Sequence, residues 1–342
     1  MNDDDLVIGS LAALQARAGI AGEAPAVARA LRASGARAVC VVDVRDGLDW
    51  LDTVHASGWL GGVPQEADAL RLAVQQGLAR GFVAADAFVV AKMADPHRLP
   101  PFSWGEEQPA SPTPATAARR LDLYAIVDSA ERLRQVLAAG VRTVQLRIKK
   151  PAAPDAGWHA LLRDEVQQAI ADSNAAGAEL FVNDHWQLAH ELGACGVHLG
   201  QEDLLALGAG GRAQLRASGM ALGISSHSLW ELARARTLAP RYIACGPVWP
   251  TLTKDMPWLP QGLDNLAWWC RAAGAPVTAI GGILGPAEVE AAARSGADGV
   301  CIVRGLGEDP RLTLPAFEAA LAAGRAQPQL PPPQWPHPSL AG

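Results

Sequence analysis

Short apolar runs recur through the second half of the chain, each followed by text with apolar residues at helical spacing. The runs are LDLYAIV (121–127), VRTVQLRI (141–148), LFVND (180–184), GVHLG (196–200), ALGIS (221–225), YIACGPV (242–248), VTAIGGI (277–283) and GVCIVRG (299–305). Helical periodicity follows them, for instance over 132–139, 158–176, 229–238, 263–272 and 286–295, with a shorter segment at 186–192. Gly140, Gly177 and Gly296 stand where helices should stop, and Pro286 stands where one should begin. Eight strand–helix units over residues 121–325 predict a closed (β/α)8 TIM barrel. A doubly wound open sheet would not require eight units, and no G-x-G-x-x-G follows the first run.

Upstream, the same alternation predicts an N-terminal α/β extension over residues 1–95, with helices at 24–33, 66–78 and 84–93 and a buried strand at 37–44. Residues 96–120 are rich in Pro, Ser and Thr and read as a linker. The Pro-rich tail, 326–342, is expected to lie over the surface or stay disordered.

Composition narrows the function classes. Hydrophobic residues make up 49% and charged residues 19%, enough for a large core. A net charge of −6 without long runs argues against nucleic acid as a partner and leaves small-molecule substrates, with homo-oligomerisation left open. No apolar stretch is long enough to span a bilayer, and no basic, apolar leader opens the sequence. Five cysteines form no C-x-x-C pair, and the four in or beside apolar runs read as buried free thiols, which predicts a reducing, cytoplasmic setting.

Polar residues gather at the carboxyl ends of the barrel strands, where barrels of this kind carry their sites. Gln145, Arg147 and Lys149 alternate with Leu146 and Ile148, so they share one face of the second strand. Asn183 and Asp184 end the third strand, Asp203 follows the fourth, and Ser225 and His227 close the fifth. Thr251, Thr253 and Lys254 lie in a long loop after the sixth. Gly281-Gly282 and Val303-Arg304-Gly305 stand after the seventh and eighth, where barrels cradle phosphate through backbone N–H groups. Asp184 and Asp203 could pair with Arg147 and Lys149; two acids beside cations and a phosphate cradle favour Mg²⁺ instead. His198 reads as core, and His227 as either an acid/base or a structural hydrogen-bonding group. The inventory describes a Mg²⁺-dependent barrel that binds two anionic groups and carries no partnered nucleophile.

The motifs QLRIK, LFVND, GVHLGQEDL, LGIS-H, GPVWPT-TK, PQGL and AIGGI, in this order over residues 121–310, resemble the thiamine phosphate synthase family. That resemblance implies a transferase that joins 4-amino-5-hydroxymethyl-2-methylpyrimidine diphosphate to 4-methyl-5-(2-phosphoethyl)thiazole and releases diphosphate. It implies that Gln145, Arg147, Lys149, Asn183 and Ser225 hold the pyrimidine diphosphate, with Lys254 at the diphosphate and Asp184 and Asp203 binding Mg²⁺. Arg147, Ser225 and Lys254 would be the catalytic groups. Thr251, Thr253, Gly282, Val303 and Arg304 would hold the thiazole phosphate. His185, where relatives often carry a second acid, and Arg304, where a small Ser is common, are departures. Alternatives are a thiazole tautomerase on the same barrel and a non-catalytic thiamine-precursor binding protein.

Residues 37–44, His55 to Trp59 and the helix after them resemble the carboxyl-terminal half of hydroxymethylpyrimidine phosphate kinase. Ala56, Ser57 and Trp59 replace residues of its anion loop, which implies a non-catalytic remnant.

Overall fold

Residues 5–110, 119–251 and 257–340 are described in the computed structural model of the chain. The N-terminal module comprises β1 (Leu6–Ser10), α1 (Leu11–Ala18), α2 (Ala24–Ala33), β2 (Ala38–Arg45), β3 (Leu48–Thr53), β4 (Ser57–Leu60), α3 (Ala67–Ala79) and α4 (Ala84–Ala91). Its sheet has the order β1-β2-β3-β4, parallel between β1 and β2 and antiparallel thereafter. Strand alternation sorts two cores. Val7, Val39 and Val41 pack with Val27 and Leu31 of α2, whereas Leu6, Ile8 and Cys40 join Leu70, Val74 and Phe88 of α3 and α4. Cover on both faces is why β2 reads as an unbroken apolar run. Arg71 donates to the carbonyls of Leu6 (2.6 Å) and Ile8 (3.3 Å), occupying backbone acceptors of the edge strand β1.

The second core continues into the barrel. The bridge is the stretch 96–110, which the composition marks as a linker and which the structure corrects to a packed strap. It has no helix or regular strand, yet Leu99, Phe102 and Trp104 are buried. Phe102 forms an isolated bridge with Leu60, extending the sheet edge.

The segment His55 to Trp59, where the resemblance has lost the anion-loop residues, runs into a strand. Ser57–Leu60 is strand β4, paired antiparallel with β3, and Trp59 is buried edge-on against Trp50 at 4.9 Å. A strand in that place is not the phosphate-cradling loop of a kinase.

In the barrel the elements are β5 (Asp122–Val127), α5 (Ala130–Ala138), β6 (Thr143–Leu146), α6 (Ala156–Ala175), β7 (Glu179–Asn183), α7 (Trp186–Glu191), β8 (Gly196–Leu199), α8 (Gln201–Ala206), α9 (Gly208–Ala217), β9 (Ala221–Ser226), α10 (Leu229–Ala235), β10 (Tyr242–Cys245), α11 (Gly262–Ala272), β11 (Val277–Ala279), α12 (Pro286–Arg294), β12 (Gly299–Ile302) and α13 (Pro310–Ala326). All eight strands are parallel and β12 pairs with β5, closing the barrel. The interior is filled by Tyr124, Phe181 and Tyr242, whose rings meet at 5.0–5.8 Å, with Leu121, Ile126, Ala244 and Cys301 around them. Gly196 makes room for this layer: a Cβ there would stand 2.8 Å from the Phe181 ring.

The Pro-rich tail lies over the barrel surface. His337 exchanges hydrogen bonds with Asn265 and Gln261 of the α11 start, and Leu340 bridges to Trp258. Trp268 and Trp269, adjacent on α11, are both buried, because Pro96 and His97 of the strap cover Trp268. Among the described residues, no helix is long and apolar enough to cross a membrane.

Candidate active site

A cavity of about 460 Å³ opens at the carboxyl ends of the barrel strands. Its floor is a chain of hydrogen bonds across the barrel interior. Gln145 Nε2 lies 3.0 Å from the Tyr124 hydroxyl, which is 2.6 Å from that of Tyr242; Tyr242 reaches His198 Nδ1 at 2.7 Å, and His198 Nε2 reaches Ser225 Oγ at 2.8 Å. The amide nitrogen of Gln145 can only donate. A neutral His198 accepts at one ring nitrogen and donates at the other, so it relays the chain between the Tyr242 hydroxyl and Ser225 Oγ in either direction.

The electrostatics agree with a neutral His198. Burial, then the charges of Arg147 and His227, push its pKa down to about 3. Burial likewise holds the Tyr124 and Tyr242 hydroxyls protonated, well above their ordinary values. The consequence for stability has a definite sign. The unfolded chain takes up a proton at His198 near pH 6.5, and the folded chain resists it down to about pH 3. Stability contributed above pH 6.5 is therefore lost progressively across that window. His198→Asn is expected to flatten the decline between pH 6.5 and 4.5, read from urea unfolding at several pH values.

Above the floor, Gln145 is buried at the end of β6, and Arg147, just past that strand, lines the mouth. Lys149 does not share its face: β6 ends at Leu146, the chain leaves the sheet, and Lys149 is exposed outside the cavity lining. Asn183 is buried at the end of β7, and Asp184 follows in a left-handed conformation (φ 65°) that turns the chain toward α7. Its backbone N–H donates to the His198 carbonyl at 3.1 Å. Asp203, in the first turn of α8, accepts from Gly200 N at 3.1 Å through Oδ2. Asp184 and Asp203 both line the cavity.

On the opposite side, Gly281 and Gly282 follow β11 with φ 95° and 73°. A Cβ on Gly282 would stand 2.5 Å from that of Trp249 and 2.9 Å from the Pro250 carbonyl, so only glycine fits this turn. Val303 and Arg304 begin a single 3₁₀ turn after β12, and a Cβ on Gly305 would stand 3.2 Å from the carbonyls of Ile283 and Leu284, so the two loops pack closely there. Gly282, Val303, Arg304 and Thr251 line the cavity on this side. Thr253 and Lys254 lie outside the described residues. His185 does not reach the cavity lining; its Nε2 meets the Ile148 carbonyl at 3.1 Å and its ring lies edge-on to Trp158.

The wall includes Gln201, Glu231 and Trp258, which pattern reading did not single out as site residues. Gln201 Nε2 donates to Ser226 Oγ (3.0 Å) and to the Ser225 carbonyl (3.1 Å), fixing the end of β9. Glu231 Oε2 accepts from His227 N at 2.6 Å and faces its Nδ1 at 3.0 Å. The His227 ring stacks on Trp258 at 5.1 Å and 9°. The GQED motif could have drawn attention to Gln201; Glu231 carries only the S-x-x-E signature with Ser228, which marks a helix start and not a site.

Among the described residues lining the cavity, the cations Arg147 and Arg304 face the carboxylates of Asp184, Glu202, Asp203 and Glu231. Such a wall attracts a polyanion only together with a cation. Oxygen donors from Asp184 and Asp203 suit Mg²⁺, which needs one or two carboxylates and takes its other ligands from water and phosphate.

A cavity at the strand ends, a glycine turn after β11 and the acids Asp184 and Asp203 following adjacent strands have the layout of a (β/α)8-barrel enzyme site. The family model described as thiamine monophosphate synthase matches residues 123–306, and the chain belongs to that family. A thiamine-phosphate synthase of Rhizobium etli is 42% identical over 193 residues, 56% of this chain and 90% of that protein. One of Serratia proteamaculans is 47% identical over 176 residues, 51% of this chain and 77% of that protein. Among solved structures, the thiamine phosphate pyrophosphorylase from Pyrococcus furiosus is similar at 26% identity and a TM-score of 0.49, over 60% of this chain and 96% of that one.

Proposed function

We infer that this chain is a transferase that catalyses the thiamine-phosphate synthase reaction, joining the pyrimidine diphosphate to the thiazole phosphate with release of diphosphate. The observation that carries the reading is the convergence of ten expected residues on one cavity: Gln145, Arg147, Asn183, Asp184, Asp203, Ser225, Thr251, Gly282, Val303 and Arg304. The synthase names of the relatives support it, and no observation favours the tautomerase or the non-catalytic binding protein.

Gln145, Asn183 and Ser225 receive the pyrimidine, with the Ser225 hydroxyl held by His198 Nε2 at 2.8 Å. Arg147 holds the diphosphate and draws charge from it as its bond to carbon weakens; Lys254 has the same role by resemblance. Asp184 and Asp203 would hold Mg²⁺, which, when bound, neutralises the leaving diphosphate. The turn at Gly281 and Gly282 presents backbone N–H groups to the thiazole phosphate, aided by Thr251, Thr253 and the backbone of Val303 and Arg304. Positioning puts the thiazole nitrogen in line with the pyrimidine carbon, and this nitrogen needs no activating base. Lys149, exposed past β6, contributes at most long-range charge.

The N-terminal module is assigned no phosphoryl-transfer chemistry, consistent with a strand where the kinase has its anion loop. The free cysteines fit a reducing, cytoplasmic setting. The test is to mix purified protein with both substrates and Mg²⁺ and to follow diphosphate release. Release that disappears on chelation with EDTA is expected; no release with Mg²⁺ present would overturn the reading.

A further inference from the structure

The family match begins at residue 123, downstream of the N-terminal module, yet the module touches α10 beside the cavity wall, at Trp230 among other residues. Trp230 lies in the first turn of α10, the helix that follows the site strand β9. Its backbone N–H donates at 3.0 Å to Oδ1 of Asp86, a residue of α4 in the module. Asp86 is 1% exposed, and the backbone N–H groups of Leu229 and Trp230 both face it.

The barrel supplies its own cap to the same turn, Ser228 Oγ accepting from Glu231 N at 3.3 Å. A helix start has four N–H groups without internal partners. Asp86 serves those that Ser228 does not, from another domain and at the expense of burying a carboxyl group. Burial raises its pKa to about 7, and the N–H groups of Trp230 and Leu229 offset part of that shift.

The module also holds the Trp230 ring. His55 packs against one part of it at 5.5 Å, and Trp258 against another at 5.6 Å. Trp258 is the ring on which His227 stacks, and Glu231, the residue after Trp230, binds both the backbone and the ring of His227. His227, Glu231 and Trp258 all line the cavity. Trp230 is thus gripped at its backbone and its ring by the module, and both grips continue into one wall of the site.

We propose that Asp86 and His55 are positioning residues for the transfer reaction, setting Trp230 and through it the His227–Trp258 wall beside the pyrimidine diphosphate. This rests on the synthase reading. A displaced wall leaves the groups at the reacting atoms in place and weakens substrate binding, so the effect falls on KM.

The experiment compares Asp86→Ala, Asp86→Asn and His55→Ala with the wild-type full chain, measuring kcat, KM for each substrate and the thermal midpoint. Asp86→Ala is expected to raise KM for the pyrimidine diphosphate about tenfold, the equivalent of one lost hydrogen bond, with kcat within about threefold. KM for the thiazole phosphate stays unchanged. Asp86→Asn keeps an acceptor oxygen and restores KM to within about twofold of wild type. His55→Ala, at an exposed position, raises the same KM about threefold without moving the thermal midpoint, and it carries the test if Asp86→Ala does not fold. Unchanged KM values in a turning-over His55→Ala and Asp86→Ala, or a fall in kcat alone, overturn the inference and leave the synthase reading standing. A wild-type protein without turnover removes both.

Discussion

Asp203→Asn is expected to lower turnover at least about a hundredfold while the chain stays folded. The choice of substitution matters, because Asp203 has two duties. Its Oδ2 accepts from Gly200 N at the start of α8, and its position on the cavity wall beside the end of β7 makes it half of the proposed Mg²⁺ pair with Asp184. Alanine would remove both and cost about 1 kcal/mol of capping besides. Asparagine keeps an oxygen for the cap and removes the charge, so lost activity reports on the charge alone. The measurement is diphosphate release across a range of Mg²⁺ concentrations, with the thermal midpoint as control. A higher Mg²⁺ requirement and a low plateau are expected, and Asp184→Asn should behave alike. Wild-type turnover with an unchanged Mg²⁺ requirement in Asp203→Asn would sink the metal assignment.

The reach of the sequence follows the range of the interactions involved. The barrel was legible because each strand is buried on both faces and each helix on one, a pattern written into consecutive residues. The strand ends were legible for the same reason, and ten of the expected residues line the cavity. The failures have physical causes. Runs such as YIACGPV and VTAIGGI stay apolar after the strand has ended at Cys245 and Ala279, since the loops at the cavity mouth are themselves packed. Lys149 was misplaced because period-two alternation carries information only while the chain remains in the sheet, which it leaves after Leu146. Strand β3 was hidden by Asp49, which reads as solvated but is buried with Oδ2 2.8 Å from Lys92 Nζ, a partner on another element. Asp86 gave no signal either, and Glu231 only that of a helix start; their meaning lies in which helix end or ring they face, and that is set by tertiary packing.

Arg234→Ala is expected to produce the largest loss of stability, about 3–5 kcal/mol, out of a total of about 5–15 kcal/mol for a folded domain. Arg234 is 2% exposed on α10 and holds the strap that joins module to barrel. Its Nε donates to the Ser103 carbonyl at 3.0 Å and an Nη to the Ser57 carbonyl at 3.1 Å, so it reaches both the strap and strand β4. Its guanidinium lies 4.7 Å from the Phe102 ring centre and 5.3 Å from that of Trp104. The Trp104 indole in turn donates to the Arg234 carbonyl at 3.1 Å. Burial lowers the pKa to about 10, still far enough above neutrality to keep the charge. Alanine would leave the carbonyls of buried Ser103 and of Ser57 without these donors and two aromatic faces without their cation, all at the junction where strap, sheet and α10 meet. Arg234→Lys retains charge but cannot span both carbonyls with a planar fork, and an intermediate loss is expected. Urea unfolding gives the magnitudes, and trypsin cleavage at Arg98 reports whether the strap has come away. Since Glu231 lies one turn earlier on the same helix, a loosened strap should also raise KM for the pyrimidine diphosphate in the Lys variant. Wild-type stability in Arg234→Ala would mean that the strap is held by its apolar side chains and its other hydrogen bonds, such as Ser103 N to the Trp59 carbonyl.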